Sequence, residues 1–165
     1  MITRLSYKDS NPTLYMISTP IGNLKDISLR AIETLENVGV IFAEDTRNTL
    51  KLLSHYEIKK PLKSYHEHNK IEAIQEVLNY LKNGVSVGLV TDAGTPGISD
   101  PGYELVRSVK SLYPVVSIPG ASAFLTALVS SGLLPQPFTF FGFLDRKSGK
   151  KIAYLKRFKA LDHTL

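Results

Sequence analysis

The sequence predicts an α/β fold with an open, mostly parallel sheet flanked by helices. Three observations predict this fold class. Short apolar runs that suit buried strands alternate with longer segments whose apolar residues recur at helical spacing. Loops rich in Gly, Pro and polar residues follow the predicted strands. The chain has 165 residues, 43% of them hydrophobic, which is enough for one ordinary domain and the start of another.

The first half of the chain contains three predicted strands and three predicted helices. The strands are residues 14–18, 38–43 and 62–65. The helices are residues 26–38, 48–55 and 71–82, and the first and third carry apolar residues at helical spacing. Asn83 and Gly84 supply a C-cap for the third helix.

The second half continues the alternation. The predicted strands are residues 86–90 and 114–118, and the predicted helices are residues 101–112 and 121–131, the latter stopped by Gly132. Strands that alternate with helices in this way pair in parallel through right-handed crossovers.

A Pro-Gln-Pro sequence at residues 135–137 predicts a domain junction. We assign residues 1–135 to an N-terminal α/β domain and residues 136–165 to the start of a second α/β domain. That start consists of a strand at residues 138–143 and an amphipathic helix with Ile152, Leu155, Phe158 and Leu161 on its apolar side. The last residues carry no stop signal, so we expect the chain to be truncated within the second domain.

Composition excludes several classes of protein. The chain has no Cys, which rules out disulfides, thiolate metal sites and cysteine nucleophiles. The N-terminus lacks the apolar core of a signal peptide, and the longest apolar-leaning stretch, residues 121–134, is too short and interrupted to span a membrane. We therefore expect a cytoplasmic protein that does not contact membranes.

The positive charge is concentrated near the C-terminus. Residues 146–165 hold seven Lys or Arg and one Asp, a net charge of +6, whereas the other 145 residues hold 13 basic and 14 acidic side chains, a net charge of −1. A basic segment attracts phosphate. A solvated helix face is an equally good interpretation of the same pattern.

Polar or Gly-rich sequence follows every predicted strand of the first domain. Because the carboxyl ends of parallel strands meet at one edge of a sheet, these segments are expected to converge on a ligand. They are Pro20, Gly22 and Asn23, and residues 44–47, 65–68, 92–100 and 119–123.

The segment 91–102 is the most informative of these. It holds three Gly, two Pro and two Asp directly after a buried strand, so its backbone can approach a ligand closely. Asp92 and Asp100 repel each other unless a donor-rich ligand or the backbone holds them. A loop with Asp and no Lys suits hydroxyls, an amino group or a sulfonium cation better than phosphate. Neither a P-loop nor a nucleophile elbow occurs elsewhere in the chain.

Each of these residues also has a purely structural interpretation. Gly22 and Asn23 are compatible with a simple turn, and Glu44 and Asp45 with a helix cap. Ser122, at a helix start, is compatible with an ordinary cap. His66 and His68 flank Glu67, but no further cluster of His or Cys accompanies them, and we expect no metal site.

Five motifs occur together and in order. They are TPIGNLxDISLRA at 19–31, AEDTR at 43–47, SYHEHN at 64–69, DAGTPGISDPGYEL at 92–105 and PGASA at 119–123. The chain resembles, from about Leu14 onward, the ribosomal RNA small-subunit methyltransferase I group, which is similar in fold to the tetrapyrrole methylases. The resemblance implies two α/β domains, a homodimer, S-adenosylmethionine as cofactor, and 2′-O-methylation of a cytidine in 16S ribosomal RNA.

The resemblance also implies site residues. The cofactor site would be lined by Asp92, Ala93, Gly94, Thr95, Pro96, Ile98, Ser99 and Asp100 on one side and by Gly120, Ala121, Ser122 and Ala123 on the other. Pro20, Gly22 and Asn23 match the loop that faces the acceptor.

A general base within hydrogen-bond reach would help a ribose hydroxyl to lose its proton, and positioning without a base is the alternative. Glu44, Asp45, His66 and Glu67 are the candidates, and Arg47 or the basic C-terminal segment is the candidate for holding the phosphate backbone. Two alternatives remain open at this point. One is a tetrapyrrole methylase of the same fold, and the other is a non-enzymatic RNA-binding module.

Overall fold

The computed structural model describes residues 11–159, 161 and 163–165. The chain divides into two compact units, one ending at Ala121 and the other spanning Ser122–Leu165. The segment 122–135 therefore belongs to the same unit as the C-terminal residues, whereas the five strands predicted between residues 14 and 118 belong to the first unit. The assignment of domains to residues 1–135 and 136–165 stays a prediction.

The first unit contains a five-stranded sheet in which all pairs are parallel, and this confirms the predicted fold class. The strand order is β3-β2-β4-β1-β5. The strands are β1 (Leu14–Ile17), β2 (Val40–Ala43), β3 (Leu62–Ser64), β4 (Val87–Val90) and β5 (Val115–Ile118).

Four α-helices connect these strands, and two more lie in the second unit. They are α1 (Leu29–Asn37), α2 (Thr46–His55), α3 (Lys70–Lys82), α4 (Tyr103–Val109), α5 (Ala123–Ser131) and α6 (Ser148–Phe158). The first helix begins later than predicted because the Ser28 hydroxyl accepts a hydrogen bond from the Ala31 amide and caps it there. Asn83 and Gly132 end α3 and α5 as the sequence predicts.

The helices of the first unit cover both faces of the sheet. Alternate residues of the strands point to opposite faces, and each face has its own buried cluster. Leu14, Phe42 and Leu89 belong to the cluster that includes residues of α3 and α4. Ile17 and Ile41 belong to the cluster that includes residues of α1 and α2. Helices α2 and α3 therefore lie on opposite sides of the sheet.

The insertion of β4 between β2 and β1 creates the crevice where a ligand can bind. The chain leaves β1 toward β2 on one side, and it leaves β4 toward β5 on the other side. At such a reversal the two connections pass to opposite faces of the sheet, here through α1 and α4, and ligands bind beyond the carboxyl ends of the strands. The loops after β1 and β4 therefore border the expected ligand site.

The predicted strand at residues 138–143 is wrong. Phe138 alone forms an isolated bridge, with Thr164, and the Thr139 amide donates to the Thr164 carbonyl at 2.8 Å. A strand requires a partner along its length, and only the first two residues of this segment find one. The Phe140 ring instead stacks on Phe124 with centroids 4.5 Å apart, so aromatic packing takes the place of sheet pairing.

Helix α6 also differs from its prediction, because it ends at Phe158 and leaves Leu161 outside. Among the described residues, no helix is both long enough and apolar enough to cross a membrane.

Replacing Gly102 by Ala is expected to destabilise the first unit. Gly102 has φ +145°, and an added Cβ would lie 3.1 Å from Met16 Cε and 3.2 Å from the Gly97 amide nitrogen. Gly22 has φ +144° but open space around the Cβ position, so Gly22→Ala is the matched control. We expect a decrease in unfolding free energy of about 2–5 kcal/mol for Gly102→Ala and about 1–2 kcal/mol for Gly22→Ala, measured by urea unfolding. Equal decreases would show that the packing around Gly102 relaxes without cost.

A candidate active site at the carboxyl ends of the strands

The loop after β1 is fixed directly to the loop after β4. Thr19 and Gly94 exchange two backbone hydrogen bonds, with N–O distances of 2.9 and 3.1 Å. The Thr19 hydroxyl also donates to the Thr91 carbonyl at 3.1 Å, and the Ser18 and Thr95 hydroxyls lie 2.9 Å apart. Two loops more than 70 residues apart in sequence therefore form one rigid wall.

The segment after β5 joins the same wall. The Ser28 hydroxyl donates to the Pro119 carbonyl at 3.4 Å. A Cβ added to Gly120 would lie 2.8 Å from Ser18 Cβ, so only glycine allows this close approach without a shift. Gly120 and Ala121 are thus brought to the end of β1, as expected.

Ser122 and Ala123 belong to the second unit. Ser122 occupies the N-cap position of α5, but its side chain makes no capping hydrogen bond. The capping contact that the structural interpretation of this residue requires is therefore missing.

The predicted cofactor residues of the β4 loop differ in exposure. Gly94 and Pro96 are buried, and Thr95 is held by Ser18, so these residues shape the loop. The remaining members are accessible or partly accessible and face solvent with at least part of their surface, namely Asp92, Ala93, Ile98, Ser99 and Asp100.

Three carboxylates crowd together where β2 and β4 end. Burial raises the pKa of Glu44, and the negative charges of Asp100 and Asp92 raise it further. Burial also raises the pKa of Asp100, with a smaller contribution from Asp92. The sequence predicts mutual repulsion between Asp92 and Asp100, and Glu44 adds to it. Such a cluster favours a cation or a ligand rich in hydrogen-bond donors.

Asp45 has a local role that differs from that of Glu44. Its carboxylate accepts from the Arg47 amide at 2.8 Å and from Arg47 Nη2 at 2.6 Å. These hydrogen bonds, the side-chain one above all, lower the pKa of Asp45 to about 2. The helix-cap interpretation is therefore confirmed for Asp45, because it is the N-cap of α2. A carboxylate held this strongly in its charged form is a weak proton acceptor.

His66 and Glu67 belong to a separate polar cluster beyond β3. Lys70 pairs with Glu67 at 2.5 Å and with Glu104 at 2.9 Å, and so links the start of α3 to the start of α4. His66 Nδ1 is buried without a hydrogen-bond partner. Within the described residues, no hydrogen bond or ion pair connects this cluster to Glu44, and no group of three or more His, Asp or Glu has the arrangement of a metal site.

A cleft of about 190 Å³ adjoins the carboxylate cluster at Asp92, whereas Glu44 and Asp100 are not among its lining residues. The predicted residues Pro20 and Gly22 line it, together with Asp92. Asn23 lies in the same loop, where its side chain accepts from the Lys25 amide at 3.1 Å, and the Arg47 side chain is 86% exposed beside Asp45. Of the four predicted acceptor residues, Pro20 and Gly22 thus line the opening, whereas Asn23 and Arg47 are not among its lining residues.

Two lining residues of this cleft, Asn48 and Lys51, are absent from the set predicted by the sequence. Asn48 Nδ2 donates to Asp92 Oδ2 at 3.1 Å, and this hydrogen bond ties α2 to the β4 loop. The one sequence feature that could have identified them is their spacing of three residues, which puts both on one face of a helix that directly follows the site segment 44–47. The partner of Asn48 lies 44 residues away in sequence, and local patterns do not reveal such a contact.

The family model described as Tetrapyrrole (Corrin/Porphyrin) Methylases matches residues 13–165. Among curated relatives, the ribosomal RNA small subunit methyltransferase I of Bacillus subtilis is 50% identical over 92% of this chain and 52% of its own length. The protein of the same name from Halalkalibacterium halodurans is 48% identical over 100% of this chain and 58% of its own length. This chain thus spans about half the length of the curated relatives it matches.

Solved structures show the same fold at low identity. Uroporphyrin-III-C-methyltransferase from Thermus thermophilus matches with a TM-score of 0.58 and 20% identity, over 78% of this chain and 59% of that one. A putative cobalamin synthesis related protein from Corynebacterium diphtheriae matches with a TM-score of 0.56 and 18% identity, over 75% and 59%.

The resemblance predicted from the five motifs is therefore confirmed by relatives of the same name. The all-parallel sheet, the site at its strand ends and a family model that matches almost the whole chain agree. This chain belongs to the tetrapyrrole (corrin/porphyrin) methylase family.

Proposed function

We propose that this chain supplies the cofactor-binding part of an S-adenosylmethionine-dependent methyltransferase. The proposed reaction is methylation of the ribose 2′-hydroxyl of a cytidine in 16S ribosomal RNA, carried out in the cytoplasm by a homodimer. One observation carries the proposal. The carboxylate cluster lies in a chain 48–50% identical, over at least nine-tenths of its length, to proteins named ribosomal RNA small subunit methyltransferase I.

The residues present fit S-adenosylmethionine. This cofactor carries a sulfonium charge, an amino group and ribose hydroxyls, and supplies a methyl group that an oxygen nucleophile can accept. Asp92 and Asp100 would hold the cationic and hydroxyl groups, because their own repulsion is relieved by a cation. The exposed part of the β4 loop would present its backbone to the cofactor, and Gly120 and Ala121 would close one side.

The cleft that Asp92 lines suits the acceptor. Pro20 and Gly22 form one wall, and Asn48 and Lys51 of α2 form another. The Tyr56 hydroxyl donates to the Leu24 carbonyl at 2.6 Å and so fixes the first loop against α2. A rigid opening of this kind aligns the acceptor oxygen and excludes water, which is the main requirement of a displacement reaction.

Glu44 is the best general base among the four predicted candidates. Its raised pKa gives it the proton affinity that a base requires, whereas Asp45 and Glu67 are committed to Arg47 and Lys70. The role proposed for Glu44 is to accept the proton of the ribose hydroxyl as the methyl group is transferred.

The function is tested with a chimera in which this chain replaces the matching half of the Bacillus subtilis relative. The substrate is 30S subunits from a strain lacking that relative. We expect a methyl group on the 2′-oxygen of one cytidine, identified by mass spectrometry of nucleosides from 16S RNA. Methylation of a porphyrin precursor but not of 30S subunits would favour the tetrapyrrole alternative. RNA binding without any S-adenosylmethionine binding would favour a non-enzymatic module.

Removing one charge from the carboxylate cluster is expected to weaken cofactor binding selectively. Asp100→Asn should weaken S-adenosylmethionine binding roughly 10- to 100-fold, because the variant removes a charge-assisted interaction. S-adenosylhomocysteine has no sulfonium charge, so its affinity should change less. Calorimetry on the chimera measures both affinities, with the exposed Asp26→Asn as control. Equal decreases in affinity for the two ligands would contradict a role for the carboxylate in binding the cation.

Replacing the proposed base is expected to affect the rate. Glu44→Gln in the chimera should lower kcat by about 10²- to 10⁴-fold, while the exposed Glu36→Gln should not. The base must be deprotonated, so wild-type kcat should fall as pH decreases through the raised pKa of Glu44. Asp92→Asn removes a charge that raises this pKa, and the fall should then occur at lower pH. A normal kcat for Glu44→Gln would show that positioning alone drives the reaction.

A further inference from the structure

Helix α2 forms a ridge between two depressions in the surface. One is the proposed acceptor cleft, which Asn48 and Lys51 line. The other is a groove of about 730 Å³, lined by Leu50, Leu53 and Ser54 of α2 and by one acidic, one apolar and two basic residues of the segment after it, namely Glu57, Ile58, Lys59 and Lys60. A single extended ligand that enters the cleft can therefore continue across α2 into the groove.

Three Lys side chains along the two depressions, one on α2 and two in the segment after it, are not neutralised by the protein itself. Lys51 lines the cleft, and Lys59 and Lys60 line the groove. In the described part of the chain, none of these three ammonium groups makes a hydrogen bond or ion pair. Lys63 and Lys70, by contrast, are paired with glutamates. Unpaired Lys side chains along a surface are free to contact phosphates and to release counterions.

The acidic cluster restricts where a polyanion can lie. Glu44, Asp92 and Asp100 repel phosphates from the centre of the site, so the backbone of a nucleic acid must follow the rim. Lys51 lies at that rim. Leu50, next to it in sequence, is 58% exposed and lines the groove, where it offers an apolar contact to the face of a base.

We propose that α2, together with the segment 57–60 that follows it, is the RNA-docking ridge of this protein. A single strand crosses it with its phosphates on Lys51, Lys59 and Lys60, and the target ribose enters the cleft lined by Pro20 and Gly22. This inference rests on the proposed function and deepens it by naming the surface that holds the substrate. It places the docking surface on the first unit, although the largest cluster of positive charge in the sequence lies at residues 146–165.

The test measures binding of the 165-residue chain to a fluorescein-labelled single-stranded RNA of mixed sequence by anisotropy, at several salt concentrations. Lys51→Ala and the double variant Lys59→Ala/Lys60→Ala should each weaken binding by about 3- to 10-fold near 0.1 M salt. The slope of log affinity against log salt should become shallower by about 0.7 for each phosphate that the variant no longer neutralises. Lys51→Arg should retain both the affinity and the slope.

The matched control is Lys82→Ala. Lys82 is exposed at the end of α3, on the opposite side of the sheet, and its removal changes the net charge equally without touching the ridge. Equal effects of Lys82→Ala and Lys51→Ala would overturn the proposal, because binding would then follow net charge alone. Weakened binding only in Lys150→Ala/Lys151→Ala of α6, or no RNA binding by the wild-type chain, would also overturn it.

A second measurement separates this inference from the proposed function. In the chimera, the double variant Lys59→Ala/Lys60→Ala should raise KM for 30S subunits about 3- to 10-fold and leave kcat and KM for S-adenosylmethionine unchanged. An inactive wild-type chimera, together with RNA binding that depends on α2, would sink the methyltransferase proposal and leave the ridge standing. An active chimera whose KM for 30S subunits is unchanged in this double variant would overturn the ridge proposal and leave the methyltransferase proposal standing.

Discussion

The position of β4 between β2 and β1 is the constraint on which the rest of the structure depends. It puts the richest loop of the chain beside the first loop, where Thr19 and Gly94 join them through paired backbone hydrogen bonds. It also brings the end of β2 next to the end of β4, so Glu44 meets Asp92 and Asp100. Without this strand order the same residues would be distributed along the sheet and would form no common site.

The surface around that site has an acidic centre and a basic residue at its rim. The centre is acidic and partly shielded from water, and this raises the pKa of Glu44 and Asp100. The adjoining helix α2 carries unpaired Lys51 at the rim. In the proposed function, a cationic cofactor and an anionic RNA would therefore bind at separate places, because each would be attracted to one region and repelled by the other.

Pairing within the protein decides which charged residues remain available for chemistry. Asp45 and Arg47 satisfy each other at the start of α2, and Lys70 holds Glu67 and Glu104 between α3 and α4. In the sequence, Asp45 and Glu67 are candidates for the base on the same grounds as Glu44, because all three are acidic residues that follow predicted strands. The partners of the paired residues lie within a few residues or on a neighbouring helix, and the hydrogen bonds fix them as structural contacts that position the strand-end loops.

The sequence by itself determined the fold class, the five strands of the sheet and the convergence of the loops after β1, β2, β4 and β5, because periodicity and loop composition are local properties. The residues after β3, which were expected to join them, form a separate polar cluster with Lys70. The sequence also failed at residues 138–143, where an aromatic run looks like a strand but packs ring against ring. Only the tertiary structure decided the strand order, the opposite pKa shifts of the adjacent Glu44 and Asp45, and the presence of Asn48 and Lys51 in the cleft. These features depend on contacts between distant segments, and their energies are set by burial and by neighbouring charges that no local pattern contains.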